Sequence, residues 1–125
     1  MKDKPLHLPW ISTKRSRMNP IHYIACFFAG LFVCNSIPHL TSGLRGEPFP
    51  SPFSKPPGVG HSSALVNFLW GTSNLIAGIV LLSLGSLVLG LNSESAVFAA
   101  AFVIIGAPMS RHFEKVRLDR QRIEG

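Results

Sequence analysis

The chain has 125 residues, of which 46% are apolar and only 14% charged, with a net charge of +6 and a mean hydropathy of +0.30. That balance sets aside an ordinary small soluble domain and places the chain in the membrane class. Of the twelve Lys and Arg, five lie before residue 18 and five after residue 110, so the basic charge flanks apolar runs rather than striping a surface that could follow phosphates, and nucleic acid is set aside as a partner.

The first nineteen residues form a basic arm (Lys2, Lys4, Lys14, Arg15, Arg17), and Trp10 and Tyr23 suit a headgroup layer. Two long runs then carry no Asp, Glu, Lys or Arg: residues 18–44 and 56–93. The first predicts a membrane helix over about residues 21–40. No small-x-small cleavage pattern follows it, so a retained helix is expected rather than a signal peptide. Ala25, Cys26, Ala29, Gly30 and Cys34 give it a small-residue face that lets another backbone approach. Cys26 and Cys34 lie about 12 Å apart along such a helix, beyond disulfide reach. Pro38 lacks an N–H, and the helix is expected to end or kink there. Asn35 and His39 flank it as the first polar side chains at depth.

The stretch 41–63 is loaded with proline and glycine, with five prolines between Pro48 and Pro57. Proline lowers the entropy lost on ordering, so an ordered loop is expected, a cap over the mouth of the helix pair with Phe49 and Phe53 folded onto the helix ends. A PxxP-type recognition segment is the competing reading.

The second span is expected over about residues 64–88. Asn67, Gly71, Asn74, Gly78 and Gly85 recur at steps of four, three, four and seven, which puts them on one helical face, with Trp70 beside it. The face reads as a buried helix–helix contact. The third run, Ser95 to Ser110, has sixteen uncharged residues and is marginal for a span; Pro108 is expected to kink its last turn. Residues 111–125 read as a charged, helical tail. The fold class is therefore all-α, with three transmembrane helices (residues 21–40, 64–88 and 95–110), an ordered Pro/Gly-rich loop between the first two, a basic arm over 1–20 and the tail over 111–125. Two equally basic ends conflict with an odd number of crossings under the positive-inside rule. Three spans are preferred, with the N-terminus cytoplasmic because the first helix and its flank more often set orientation.

Gly30-Leu31-Phe32, Asn35-Ser36-Ile37-Pro38-His39, Phe49-Pro50-Ser51-Pro52-Phe53, Pro56-Pro57-Gly58-Val59-Gly60, Ser62-Ser63, Val66-Asn67, Trp70-Gly71, Asn74 and the later Arg111-His112-Phe113 together resemble a family of small, uncharacterised bacterial integral membrane proteins. The likeness is close over about residues 30–78 and loose elsewhere, and the basic arm departs from it. It implies a bacterial inner-membrane setting and several helices, and carries no activity or cofactor.

Catalysis needs a nucleophile with a base, paired carboxylates or a metal cluster, and the apolar spans hold no Asp or Glu, which disfavours carboxylate-driven proton transport. The reading is a structural or interaction protein packed through the Asn35, His39, Asn67, Trp70, Gly71, Asn74, Gly78 and Gly85 face, its partners the lipid bilayer and a second copy or another membrane protein. The alternatives are a small oligomeric transporter or channel lined by Asn35, Asn67 and Asn74, and an accessory protein binding a metal or a quinone through His39 and His61, with Cys34 as a third metal ligand.

Overall fold

The computed structural model describes residues 19–85 and 87–125; the basic arm, with Trp10, lies outside them. Three helices follow in order, α1 (Pro20–Leu44), α2 (Ala64–Leu84) and α3 (Ser93–Glu124), and the described residues contain no strand beyond a single bridge between Phe49 and Ser62. All three are long and apolar enough to cross a membrane. With a rise of 1.5 Å per residue they measure about 37, 31 and 48 Å against a hydrocarbon core of about 30 Å, so α3 runs well past the apolar layer.

Each helix starts on a side-chain cap. Asn19 accepts from the Ile21 N–H with Pro20 opening α1, Ser63 accepts from the Val66 N–H, and Asn92 accepts from the Ser95 N–H at 2.8 Å. Boundaries differ from the sequence expectation in instructive ways. α1 does not end at Pro38 but continues to Leu44, so the loop begins at residue 45. In lipid a lost backbone bond is tolerated where hydroxyls and neighbouring helices re-satisfy the freed groups. Pro38 frees the Cys34 carbonyl, and this stretch of α1 is held by its packing on α2, where Gly71 abuts the Leu40 backbone; Ser36 Oγ and Thr41 Oγ1 add bonds to the neighbouring Val33 and Ile37 carbonyls, both at 2.7 Å. α2 ends at Leu84, where the Gly85 N–H closes back on the Leu81 carbonyl. α3 passes Pro108 unbroken, so the third span and the charged tail are one helix.

α1 is the shared element: α2 and α3 both pack against it, and among the described residues they make no contact with each other. The packing inverts that of a soluble protein. The buried apolar residues are Ala25, Cys26, Ala29, Cys34 and Ala101, all small, while Ile24, Phe28, Leu65, Leu69, Ile76, Ile79, Val103 and Ile104 face outward. Lipid tails solvate large apolar side chains as well as a core does, so association rests on close backbone approach and interhelical hydrogen bonds.

The glycines show how close that approach is. A Cβ on Gly71 would lie 2.7 Å from the Leu40 nitrogen, one on Gly78 2.6 Å from Val33 Cγ2, and one on Gly85 2.7 Å from Cys26 Sγ. These contacts seat the glycine-asparagine face of α2 along α1, and Asn67, Gly71, Asn74 and Gly78 are the buried residues of α2. On the other side of α1, Gly30 abuts the Phe98 carbonyl and Ala101, and a Cβ on Gly106 would lie 3.1 Å from Cys34 Sγ. Tyr23 and Ser93 hydroxyls meet at 2.9 Å, so α1 and α3 start at the same membrane face and run parallel.

Candidate functional site: a capped polar mouth

The loop over residues 45–63 folds back on itself. Phe49 and Ser62 exchange both backbone bonds at 3.2 and 3.0 Å, the Gly58 N–H donates to the Ser51 carbonyl at 2.8 Å, and Gly60 packs against the Lys55 carbonyl. Gly58 has φ 70°, a left-handed conformation that suits glycine. Buried serines tie the interior: Ser51 and Ser62 share a hydroxyl contact, and Ser54 Oγ donates to the Ser51 carbonyl at 2.7 Å.

Asn67, fully buried in the first turn of α2, pins this loop to the helices. Its Nδ2 faces three carbonyls, those of Phe49 at 2.9 Å, Ser62 at 3.2 Å and Ser63 at 3.1 Å. That donor assignment fixes the amide orientation, leaving Oδ1 to accept from His39 Nδ1 at 2.7 Å. Neutral His39 therefore carries its proton on Nδ1, and its Nε2 is a bare acceptor. His39 is 2% exposed, with its ring 5.5 Å from Phe49 and 6.5 Å from Trp70, each edge to face.

One turn below, Asn35 Nδ2 donates to Asn74 Oδ1 at 3.0 Å, and Asn74 Nδ2 donates to the Trp70 carbonyl at 2.8 Å. Trp70 packs edge to face on Phe53 at 5.2 Å, and its buried Nε1 has no hydrogen-bond partner. The outer part of α3 crosses over the loop. His112 Nε2 donates to the Gly58 carbonyl at 2.7 Å, Arg120 donates to the Val59 carbonyl at 3.2 Å, and Phe113 sits 4.7 Å from Phe49.

The loop, α1 and α3 border a partly open chamber of about 320 Å³ lined by Asn35, His39, Ser51, His112, Phe113 and loop prolines. Asn35 also lines a second cavity of about 320 Å³ deeper in the apolar layer, with Phe28, Phe32, Trp70, Asn74 and Ile105. A separate cleft of about 490 Å³ on the loop flank takes His61, Glu114, Arg117 and Arg120. Exposed His61 titrates below its ordinary value, through desolvation first and the nearby Arg120 second, with Glu124 opposing.

His39 and Asn67, one on each span, thus meet directly, as do Asn35 and Asn74. His39, His61 and Cys34 do not form a ligand set, and no group of three metal-ligating side chains assembles among the described residues. Cys34 instead packs on Gly106, and Cys26 Sγ lies 3.9 Å from the Gly85 carbonyl. Gly71, Gly78 and Gly85 line the α1 seam. The residue that sequence reasoning did not place at the mouth is His112, which bonds the Gly58 carbonyl. An odd number of spans puts the end of the third run on the loop face, and that was the available signal.

No protein family, curated protein or solved structure matches this chain.

Proposed function

We propose that this chain is a non-catalytic, multi-pass protein of the bacterial cytoplasmic membrane whose role is interaction: it holds a rigid cap and a polar chamber at one membrane face. The observation that carries the reading is Asn67, whose four hydrogen bonds lock both sides of the Phe49–Ser62 bridge, the start of α2 and His39 into one unit. His39 Nδ1 is committed to that amide rather than to a hydroxyl or thiol nucleophile, which favours positioning over covalent chemistry. A transport pathway lined by Asn35, Asn67 and Asn74 has less support, because each of the three amides already bonds within the chain. A second copy or another membrane protein would meet α3, in which Ala101 is the one buried residue.

The N-terminus is cytoplasmic in this proposal and the loop faces the other side. Hydrogen exchange in lipid nanodiscs tests the scaffold. Amides of Phe49 and Ser62 are expected to be protected, and Asn67→Ala to speed their exchange about tenfold or more, since several buried polar groups lose partners. Unchanged protection, or selective solute flux through liposomes carrying the pure protein, would sink the reading.

A further inference from the structure

Because α2 and α3 both pack on α1 and not on each other, a furrow remains between them that opens to the lipid. Its floor is Phe28, Leu31 and Phe32 of α1, its walls are Trp70 on α2 and Ile105 on α3, and it meets the capped chamber at Asn35. Furrow and chamber thus adjoin at Asn35, which lines both, and together they make a space that is apolar along the furrow and polar under the loop. We propose that this space binds an isoprenoid quinone or its quinol, the ring head beneath the proline loop and the polyprenyl tail along the furrow. The proposal rests on the scaffold reading above and names the ligand of the same chamber.

Three observations select that class. The first is charge. No Lys, Arg, Asp or Glu lines either the chamber or the furrow. A phosphate headgroup drawn into this space would lose its hydration with no cation to replace it, a large desolvation cost, so the head is neutral.

The second is the inventory of uncommitted polar atoms. Trp70, whose side chain lines the furrow, has its Nε1–H buried without a partner, a costly arrangement in the apolar layer. Asn35 gives one amide proton to Asn74 and keeps its second proton and its carbonyl. His39 Nε2 is an acceptor by the tautomer that Asn67 imposes. Neutral His112 spends Nε2–H on the Gly58 carbonyl, which leaves Nδ1 as an acceptor. Donors and acceptors are thus both present. A head whose oxygens accept in one form and donate in the other uses the whole set, whereas the neutral head of a diacylglycerol offers a single hydroxyl donor.

The third is shape. Phe113, Pro50, Pro52 and Pro57, all carrying rings, are among the residues that line the chamber, a lining that suits a ring better than a branched headgroup.

The chain has two tryptophans, Trp10 and Trp70, so Trp10→Phe leaves Trp70 as the single reporter at the junction. That protein in phosphatidylcholine nanodiscs is titrated with decylubiquinone and with menaquinone-4, and Trp70 emission is followed. Saturable quenching with one site per chain is expected. Ile105→Phe narrows the furrow from α3 without touching the polar network, and is expected to weaken binding about tenfold while the thermal unfolding midpoint stays at that of the parent. His39→Phe removes the Nε2 acceptor and is expected to weaken binding by a similar factor. Should His39→Phe fail to fold, Ile105→Phe decides alone. Quenching that rises linearly with quinone content and ignores Ile105→Phe overturns the proposal. So does displacement of the quinone by dioleoylglycerol or phosphatidylglycerol as effective as that by a second quinone. Exchange protection of Phe49 and Ser62, measured on the same nanodiscs, separates the two ideas: a protected cap with no saturable quenching removes the quinone and keeps the scaffold.

Discussion

Asn67 and His39 illustrate how a polar pair at the end of two spans becomes an anchor. A buried amide that satisfies three carbonyls and one imidazole cannot be replaced without leaving partners unpaired, and each unpaired group costs about 1–3 kcal/mol. Asn67→Leu is therefore expected to lower bilayer stability by at least about 2 kcal/mol, read by reversible unfolding in mixed micelles. Asn67→Asp should be worse, since the carboxylate cannot donate to the Phe49, Ser62 and Ser63 carbonyls. His61 gives a second residue-level expectation. Its folded-state value lies below the ordinary 6.5, so the unfolded or undocked chain binds the proton more readily. The stabilising contribution is present above about pH 6.5 and is lost as the pH falls through the folded value, where His61 cation meets Arg120. Spin labels at Lys55 and Lys115 should report a broader distance distribution at low pH than at pH near neutrality, and His61→Gln should remove that dependence; a distribution independent of pH in the parent would refute it. The chemistry of both residues was legible only in part. Spacing placed Asn67 on a face, but amide orientation and the Arg120 neighbour depend on where the loop and α3 arrive in space.

At the level of elements, the α2 face was readable because membrane helices bury small and polar residues at a strict period, so Asn67, Gly71, Asn74 and Gly78 announce the seam. Pro38 was misleading for a related reason: the rule that proline ends a helix assumes water competes for the freed carbonyl, and in lipid the helix is the cheapest way to satisfy the rest of the backbone. The seam predicts graded effects. Gly71→Ala drives a methyl into the Leu40 backbone, which cannot turn away, whereas at Gly78 the nearest atom belongs to the Val33 side chain. Gly71→Ala should cost about 1–3 kcal/mol, and Gly78→Ala clearly less because helix propensity gained on replacing glycine offsets part of the clash. The bulkier Gly78→Leu should lower assembly or abundance. Equal stability of Gly71→Ala and the parent would show that the seam is looser than the backbone distances imply.

For the whole molecule, three crossings place the ends of α1 and α3 that carry the basic segments on opposite faces. Seven Lys and Arg lie on the loop and α3 face (Arg45, Lys55, Arg111, Lys115, Arg117, Arg120, Arg122) and five precede α1, so the count alone leans by two residues toward a cytoplasmic loop face, and the N-inside expectation rests instead on the first helix and its basic flank, which more often set orientation. Fusions of a periplasm-active and a cytoplasm-active reporter to each end should report opposite sides, with the N-terminus inside; both ends on one side would contradict the three-span arrangement. The outer half of α3 was the least legible region at this scale. Its tail reads as solvated charge, and only the parallel course of α1 and α3 reveals that His112, Phe113 and Arg120 close over the proline loop.

That the shared helix comes first in the chain has a consequence for biogenesis. α1 leaves the insertion machinery with both of its seams empty and with Asn35, Ser36, His39 and Ser42 facing lipid, a state that α2 relieves as soon as it follows. None of the bonds made by Asn67 involves α3, so the α1–α2 hairpin and its proline clasp can close without it, and α3 adds to them as a lock. A lesion confined to the second seam, such as Gly30→Leu, should release α3 and leave the hairpin standing, so that quality control in the cell would meet a half-closed intermediate rather than an unfolded chain.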